Sequence, residues 1–301
     1  MRYADGAAFV DGELVPIAEA KIALLDWGFL HSDATYDVAH VWRGAFFRLD
    51  DHIERFFAGM DGLRMSIPYD RDRVQDILSE CVGLSGLRDA YVEMICTRGF
   101  PAPGSRDPRS CQNRFFAFAI PFIWIADPGH QESGLHLIIS HKRRIAPEAV
   151  DPTVKNYHWL DMVMGLYEAY ERGGETAVVV DEQGDLVEGP GFNVFAVHDG
   201  TLITPARGML EGVTRRTVLE LAQAQGWGVE VRALTADETR GGDEVFITST
   251  AGGIMPVTTV DGQMVGDGRP GPVTMALHAA YWRAHEDPRY ALPVSYIEEP
   301  T

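Results

Sequence analysis

Five stretches of this chain combine residue types that could hold an anion and work on a bound small molecule. Asp151-Pro152-Thr153-Val154-Lys155-Asn156 places a lysine just after a Pro-containing turn and just before an apolar helical stretch with Trp159, Leu160, Met162, Val163 and Leu166. Alone, such a lysine also reads as a surface side chain whose head reaches water. Val187-Glu188-Gly189-Pro190-Gly191-Phe192-Asn193 sets a carboxylate on a strand end, followed by glycines that let backbone approach a ligand closely. Alone it is a plain turn. In Gly208-Met209-Leu210-Glu211-Gly212-Val213-Thr214-Arg215 a glycine-flanked loop opens a helix, where free N–H groups and the dipole favour a phosphate. An ordinary N-cap by Thr214 explains the same residues. Thr248-Ser249-Thr250-Ala251-Gly252-Gly253 runs a strand into a turn of hydroxyls and glycines, giving further donors to a phosphate. Leu49-Asp50-Asp51-His52-Ile53-Glu54-Arg55 adds an arginine one turn into a helix, for which a surface ion pair with Asp51 is the simpler reading.

The elements that must position these groups are legible from turn pairs and apolar spacing. Asp11-Gly12, Arg43-Gly44, Asp199-Gly200 and Asp261-Gly262 each separate short apolar runs and predict hairpins in both halves. Ile53, Phe56, Phe57, Met60 and Leu63, and later Val218, Leu219, Leu221 and Ala222, have helical spacing. Asp50-Asp51 and Thr214 mark the expected helix starts, and Gly226 the second helix's stop. Strands are expected at 90–97, 115–120, 135–140, 176–181, 192–197 and 244–249. The class is α+β, or mixed α/β. The turn-rich segment 126–131 is the expected linker between a smaller N-terminal domain, 1–125, and a larger C-terminal one, 132–301. Clefts between two domains are common ligand sites.

With 301 residues, the chain has about two domains' worth of length. Hydrophobic residues at 46% and charged residues at 23% exclude disordered and low-complexity readings. A net charge of -18 leaves no broad cationic surface for nucleic acid or anionic lipid. Cys81, Cys96 and Cys111 are odd in number and lack CxxC spacing, which argues against a disulfide framework or zinc cluster and fits a reducing cytoplasm. The N-terminus has no apolar signal-like run, and the apolar stretch 115–125 is short and broken by Pro121, so no membrane span is expected. GxxxxGK[ST], GxGxxG after a strand, HExxH and GxSxG are all missing, and no histidine sits at metal-ligand spacing.

In their order along the chain, the DxHxxR helix, the lysine before its helix, EGxGxN, GxxxGxTR and TSTAGG resemble the fold-type IV pyridoxal-phosphate enzymes, the superfamily of branched-chain and D-amino-acid aminotransferases. The resemblance covers almost the whole chain. It implies two domains with antiparallel-rich sheets, a cofactor cleft between them, pyridoxal 5'-phosphate as cofactor, and a homodimer. It makes Lys155 the Schiff-base lysine and Glu188 the partner of the pyridine nitrogen. Arg55, Val213, Thr214, Ser249 and Thr250 become the phosphate cup, with Leu210 under the ring and Asn193 beside the cofactor. A lysine amine can form an imine and then act as the base that moves a proton, which an arginine cannot. A carboxylate facing the ring nitrogen keeps it protonated, so that negative charge drains into the ring.

Departures within the superfamily point to the donor. Where branched-chain enzymes carry Tyr-x-Arg for the substrate carboxylate, this chain has Tyr91-Val92-Glu93. D-amino-acid enzymes follow a TRG triplet with an Arg-x-His trap, but here Thr97-Arg98-Gly99 runs into Phe100-Pro101-Ala102. The segments 25–38 and 44–52 are similar to those of (R)-selective amine transaminases, in which residues equivalent to His31, Tyr36, Val38 and Tyr91 shape a large and a small pocket. Glu93, Trp159 and Ala251 complete the expected substrate residues, with Arg106 in a shortened loop as the contact for the acceptor's carboxylate. The implied activity moves the amino group of an (R)-configured primary amine to a 2-oxo acid such as pyruvate by a 1,3-proton transfer. A D-amino-acid or branched-chain aminotransferase is the runner-up, followed by an aminodeoxychorismate lyase and a non-catalytic cofactor-binding protein.

Overall fold

A computed structural model describes residues 3–296, which divide into two units. One comprises residues up to Ile123, Val154–Tyr157 and the stretch from His285; the other comprises Trp124–Thr153 and His158–Ala284. The expected boundary at 126–131 differs from this division, because the chain leaves the first unit at Ile123 and returns to it twice.

The returns have a local cause. In the first unit, β1 (Ala7–Val10), β2 (Glu13–Pro16), β3 (Ala34–Trp42), β4 (Ala45–Phe47), β5 (Ala90–Phe100) and β6 (Gln112–Pro121) join a C-terminal strand, Ala291–Pro293. The antiparallel order runs from that strand through β4, β3, β5, β6 and β1 to β2. Because β4 is short and pairs with β3 only at Val41 and Trp42, the first half of β3 is left without a strand on that edge. Asn156 bridges to Thr35 there, and the Lys155 carbonyl accepts from Tyr36 N at 3.1 Å and Thr35 Oγ1 at 2.9 Å. Backbone groups at a buried edge must find partners, and this segment supplies them.

Helices α1 (Trp27–His31), α2 (Leu49–Gly62) and α3 (Arg71–Ser85) belong to the same unit. Ile53, Phe56 and Met60 of α2 and Ile77, Leu78 and Cys81 of α3 share a core with Ala39, Val92 and Met94 of the sheet. The α2 start differs from expectation: Arg48, in the left-handed region, precedes it, and Asp50 and Asp51 lie inside the first turn. Strand alternation puts Asp37 on the sheet face toward α2, so Tyr36 and Val38 point to the opposite face. Register places Ile95 opposite Tyr36, Glu93 opposite Val38 and Tyr91 opposite His40, and all of these share that second face.

The second unit contains β7 (Leu135–Arg143), β8 (Thr176–Val180), β9 (Asn193–His198), β10 (Thr201–Thr204), β11 (Gly228–Val231), β12 (Glu244–Ser249), β13 (Gly253–Val260) and β14 (Gln263–Met264). Its main order is β11-β10-β9-β12-β13-β7-β8, with β14 beside β13. The centre is antiparallel, whereas β10–β11, β13–β7 and β7–β8 are parallel. Leu137, Val194, Ala196, Ile247 and Met255 build its core. Its helices are α4 (His130–Ser133), α5 (Leu160–Glu171), α6 (Val213–Ala224), α7 (Ala236–Arg240) and α8 (Pro272–Ala284). Trp159 is the N-cap of α5 rather than part of it. All four predicted turn pairs form hairpins with φ above zero at both central residues. That backbone twist suits tight two-residue connections.

Candidate active site

In the first unit the Lys155 Nζ lies 4.5 Å from the centre of the Tyr36 ring. The Tyr157 ring stacks on Tyr36 at 4.2 Å with an interplanar angle of 5°. Tyr157 donates its hydroxyl to Glu93 Oε1 at 2.5 Å, and Tyr91 donates to Glu93 Oε2 at 3.3 Å. Glu93 is therefore turned inward, into the cluster that holds Lys155. Burial pushes its carboxyl above the ordinary range, while the tyrosine hydroxyls and the Lys155 charge pull the other way. Burial, and then Glu93 itself, push both tyrosines up, so they remain phenols that donate. Val38 is buried opposite Glu93. His31 ends α1, exposed, with its ring 4.9 Å from that of Trp27. Arg106 is exposed in the 101–111 loop, which Ser105, Asp107 and Ser110 tie together.

Asp51, the partner that spacing suggested for Arg55, bonds Arg48. Arg55 grips Asp37 through Nε at 2.7 Å and Nη2 at 2.9 Å. His52 donates Nδ1–H to the same carboxylate at 2.8 Å, since an ionised carboxylate only accepts. Burial alone would raise the Asp37 carboxyl, but Arg55 and His52 outweigh it and hold it far below the usual range. His52, buried, is pushed toward its neutral form. Asp37→Asn should therefore cost about 3–5 kcal/mol, because it leaves a buried guanidinium without its anion. A depressed carboxylate stabilises the fold above its unfolded pKa, so the wild-type advantage over Asp37→Asn should be full at pH 7 and shrink below about pH 4. Denaturant melts of both proteins at pH 7 and pH 3.5 check the sign.

In the second unit Glu188 lies in an extended segment beside β8, where its carbonyl accepts from Val179 N at 2.9 Å. Its side chain is buried, with Oε1 accepting from Arg144 Nε at 3.0 Å and Oε2 from Leu210 N at 3.0 Å. Asn193 Nδ2 donates to Leu210 O at 2.8 Å. The Leu210 peptide is thus held at both ends by the two polar residues of one EGPGFN segment. The predicted cap at Thr214 does not form: Gly212 is the N-cap of α6 and makes no side-chain cap. Val213 and Thr214 open the helix, and a Cβ at Gly212 would lie 2.2 Å from Asn193 Oδ1. The Ser249 hydroxyl donates to Gly191 O at 2.8 Å and accepts from Ala251 N at 3.1 Å, which ties the TSTAGG turn to the glycine segment. Thr250 follows it in the turn. A Cβ at Gly191 would come within 3.6 Å of the Trp159 ring.

Sequence reasoning missed Asp37, Tyr157, Arg144 and Asp161. Asp37 had a signal, a lone acid inside an otherwise buried strand, and Tyr157 stood two residues from a singled-out lysine. Arg144 carried none, since a basic residue after a strand is ordinary.

A family model described as amino-transferase class IV matches residues 34–260. Among similar proteins is one from Methanocaldococcus jannaschii whose name places it among branched-chain-amino-acid aminotransferases, 33% identical over 89% of this chain and 93% of its own. A D-alanine aminotransferase of Bacillus licheniformis is 29% identical over 90% of this chain and 94% of its own. A branched-chain amino acid aminotransferase from T.th., solved with pyridoxamine 5'-phosphate, superposes with a TM-score of 0.89 at 27% identity, covering 97% of this chain and 99% of that one. The ordered motifs, the two sheets and a match spanning most of the sequence agree, and the chain belongs to the class IV aminotransferases.

Proposed function

We propose that this chain is a pyridoxal 5'-phosphate-dependent transaminase that moves the amino group of an (R)-configured primary amine to a 2-oxo acid such as pyruvate. The residues fit the cofactor: α6 begins with no side-chain cap, leaving first-turn amides for a phosphate, and Glu188 is a buried carboxylate held by two donors. Bound pyridoxal 5'-phosphate supplies an electron sink for the carbon that loses a proton. Lys155 supplies the amine that holds the cofactor and then carries the proton between donor carbon and cofactor. Glu188 would serve the ring nitrogen, Val213, Thr214 and Thr250 would hold the phosphate, Leu210 and Asn193 would shape the loop beside the ring, and Arg55 is the expected phosphate contact from the first unit.

Glu93 carries the choice of donor. By the resemblance it stands where branched-chain enzymes carry an arginine for the substrate carboxylate, and its two oxygens already accept from Tyr157 and Tyr91. Whether ionised or neutral, it offers no cation to an amino acid's carboxylate. An apolar cavity of about 310 Å³, lined by Ile95, Phe116, Phe118, Phe29 and Tyr157, suits an aryl or alkyl substituent on an amine. A branched-chain or D-amino-acid aminotransferase is the second reading, and the names of the similar proteins favour it. We expect kcat/KM for (R)-1-phenylethylamine to exceed that for its (S) enantiomer, D-alanine and L-leucine by about tenfold or more, equivalent to about 1.4 kcal/mol. If either amino acid outperforms the (R)-amine, the second reading replaces the first.

A second copy completes the proposed assembly. Leu24, Leu25, Phe29 and Leu30 are 49–75% exposed on one short segment, an apolar surface of the kind a second copy could cover. Sedimentation equilibrium should return twice the chain mass. Among the described residues no helix is long and apolar enough to cross a membrane.

A further inference from the structure

Directly behind Glu188 lies a buried ion triad that joins three separate segments. Arg144, the residue after β7, donates Nε to Glu188 Oε1 at 3.0 Å and Nη1 to Asp161 Oδ2 at 2.8 Å and to His158 O at 3.1 Å. Asp161, in the first turn of α5, also accepts from Ile145 N and Met162 N, both at 2.9 Å. All three side chains are nearly buried: Arg144 is 9% exposed, Glu188 7% and Asp161 11%. One guanidinium therefore stands between two carboxylates, its fork fixed by Asp161 and its Nε left to orient Glu188.

We infer that Arg144 is a positioning residue that sets the orientation and ionisation of Glu188, and that Asp161 holds Arg144 in place to do so. The inference rests on the assignment of Glu188 to the ring nitrogen. Arg144 supplies a near, desolvated cation that favours the carboxylate, while the Leu210 amide fixes the second oxygen. Glu148, Asp181, Glu182 and Arg207 line a cavity of about 150 Å³ with Arg144. Arg144 is a near cation that favours the charged form of Glu188.

The test uses loaded holoenzyme and four variants: Arg144→Gln, Arg144→Lys, Asp161→Asn and Glu188→Gln. Loss of a close cation raises a carboxylate's pKa by about 1–3 units. In Arg144→Gln the acid limb of the kcat profile, and the pH at which the bound cofactor's visible absorbance changes, should both move upward by about one unit or more. Arg144→Lys keeps the charge but cannot serve both carboxylates through a planar fork, so it should fall between Arg144→Gln and wild type. Asp161→Asn should shift the same two profiles in the same direction by less, and it carries the test if neither Arg144 variant folds. Adding Arg144→Gln to Glu188→Gln should lower kcat by less than threefold more. Profiles that stay put while only thermal stability falls would reduce Arg144 to a structural residue, as would full additivity in the double variant. If Glu188→Gln itself keeps wild-type kcat, the assignment of Glu188 fails; if it loses kcat while the Arg144 profiles stay put, only the positioning role fails.

Discussion

Lys155→Ala should retain the fold and part of its affinity for pyridoxal 5'-phosphate while losing amino transfer, by on the order of 10⁴-fold or more. The loss is large because one amine serves both as the covalent attachment and as the base that moves the proton, so its removal takes away two functions together. Binding should persist in part because the groups proposed to hold the phosphate, chiefly the α6 amides and nearby hydroxyls, are different ones. The loaded wild type should be yellow, and borohydride reduction followed by peptide mapping should mark Lys155. The sequence makes that mapping unambiguous, since Lys21 and Lys142 are its only other lysines. A label on either of them, or on neither them nor Lys155, would sink the assignment.

Glu188→Gln should lower kcat by two or more orders of magnitude, in line with the roughly 2.7–4 kcal/mol lost when one preorganised electrostatic group is removed. An amide is nearly isosteric with the carboxylate, and it can still accept from Arg144 or Leu210, so the fold should survive. It carries no charge to hold the ring nitrogen protonated, and the sink for negative charge weakens accordingly. Steady-state kinetics with a saturating amine donor separates the outcomes. A raised KM at unchanged kcat would mean that Glu188 contributes ground-state binding alone and has been given the wrong role.

The two predictions draw on the same kind of information. Lys155 and Glu188 stand out in the linear sequence because each sits inside a local pattern, a lysine between a turn and an apolar helix and an acid before a run of glycines. Hairpin turns were equally legible, because a two-residue connection with positive φ at both positions depends on the chemistry of those two residues. The start of α6 was not: Thr214 has the side chain of a cap, yet Gly212 takes that position, where a Cβ would meet Asn193 from another strand. Contacts of this kind depend on which segments meet, and local propensity carries no information about that.

The sequence by itself determined the family, the order of the motifs and the residue types at each. Only the tertiary structure decided their partners. Glu93 could have faced either side of its strand, because a shift of one residue reverses every side chain; the register with β3 and the hydroxyls of Tyr91 and Tyr157 turn it toward Lys155. Arg55 had an acid four residues away, yet it pairs with Asp37, eighteen residues earlier, because the sheet buries Asp37 against α2 and a buried charge requires a counter-ion. Arg144 reaches Glu188 across forty-four residues for the same reason. Ionic and hydrogen-bond partners follow from burial and proximity in space, and neither is a property of sequence spacing.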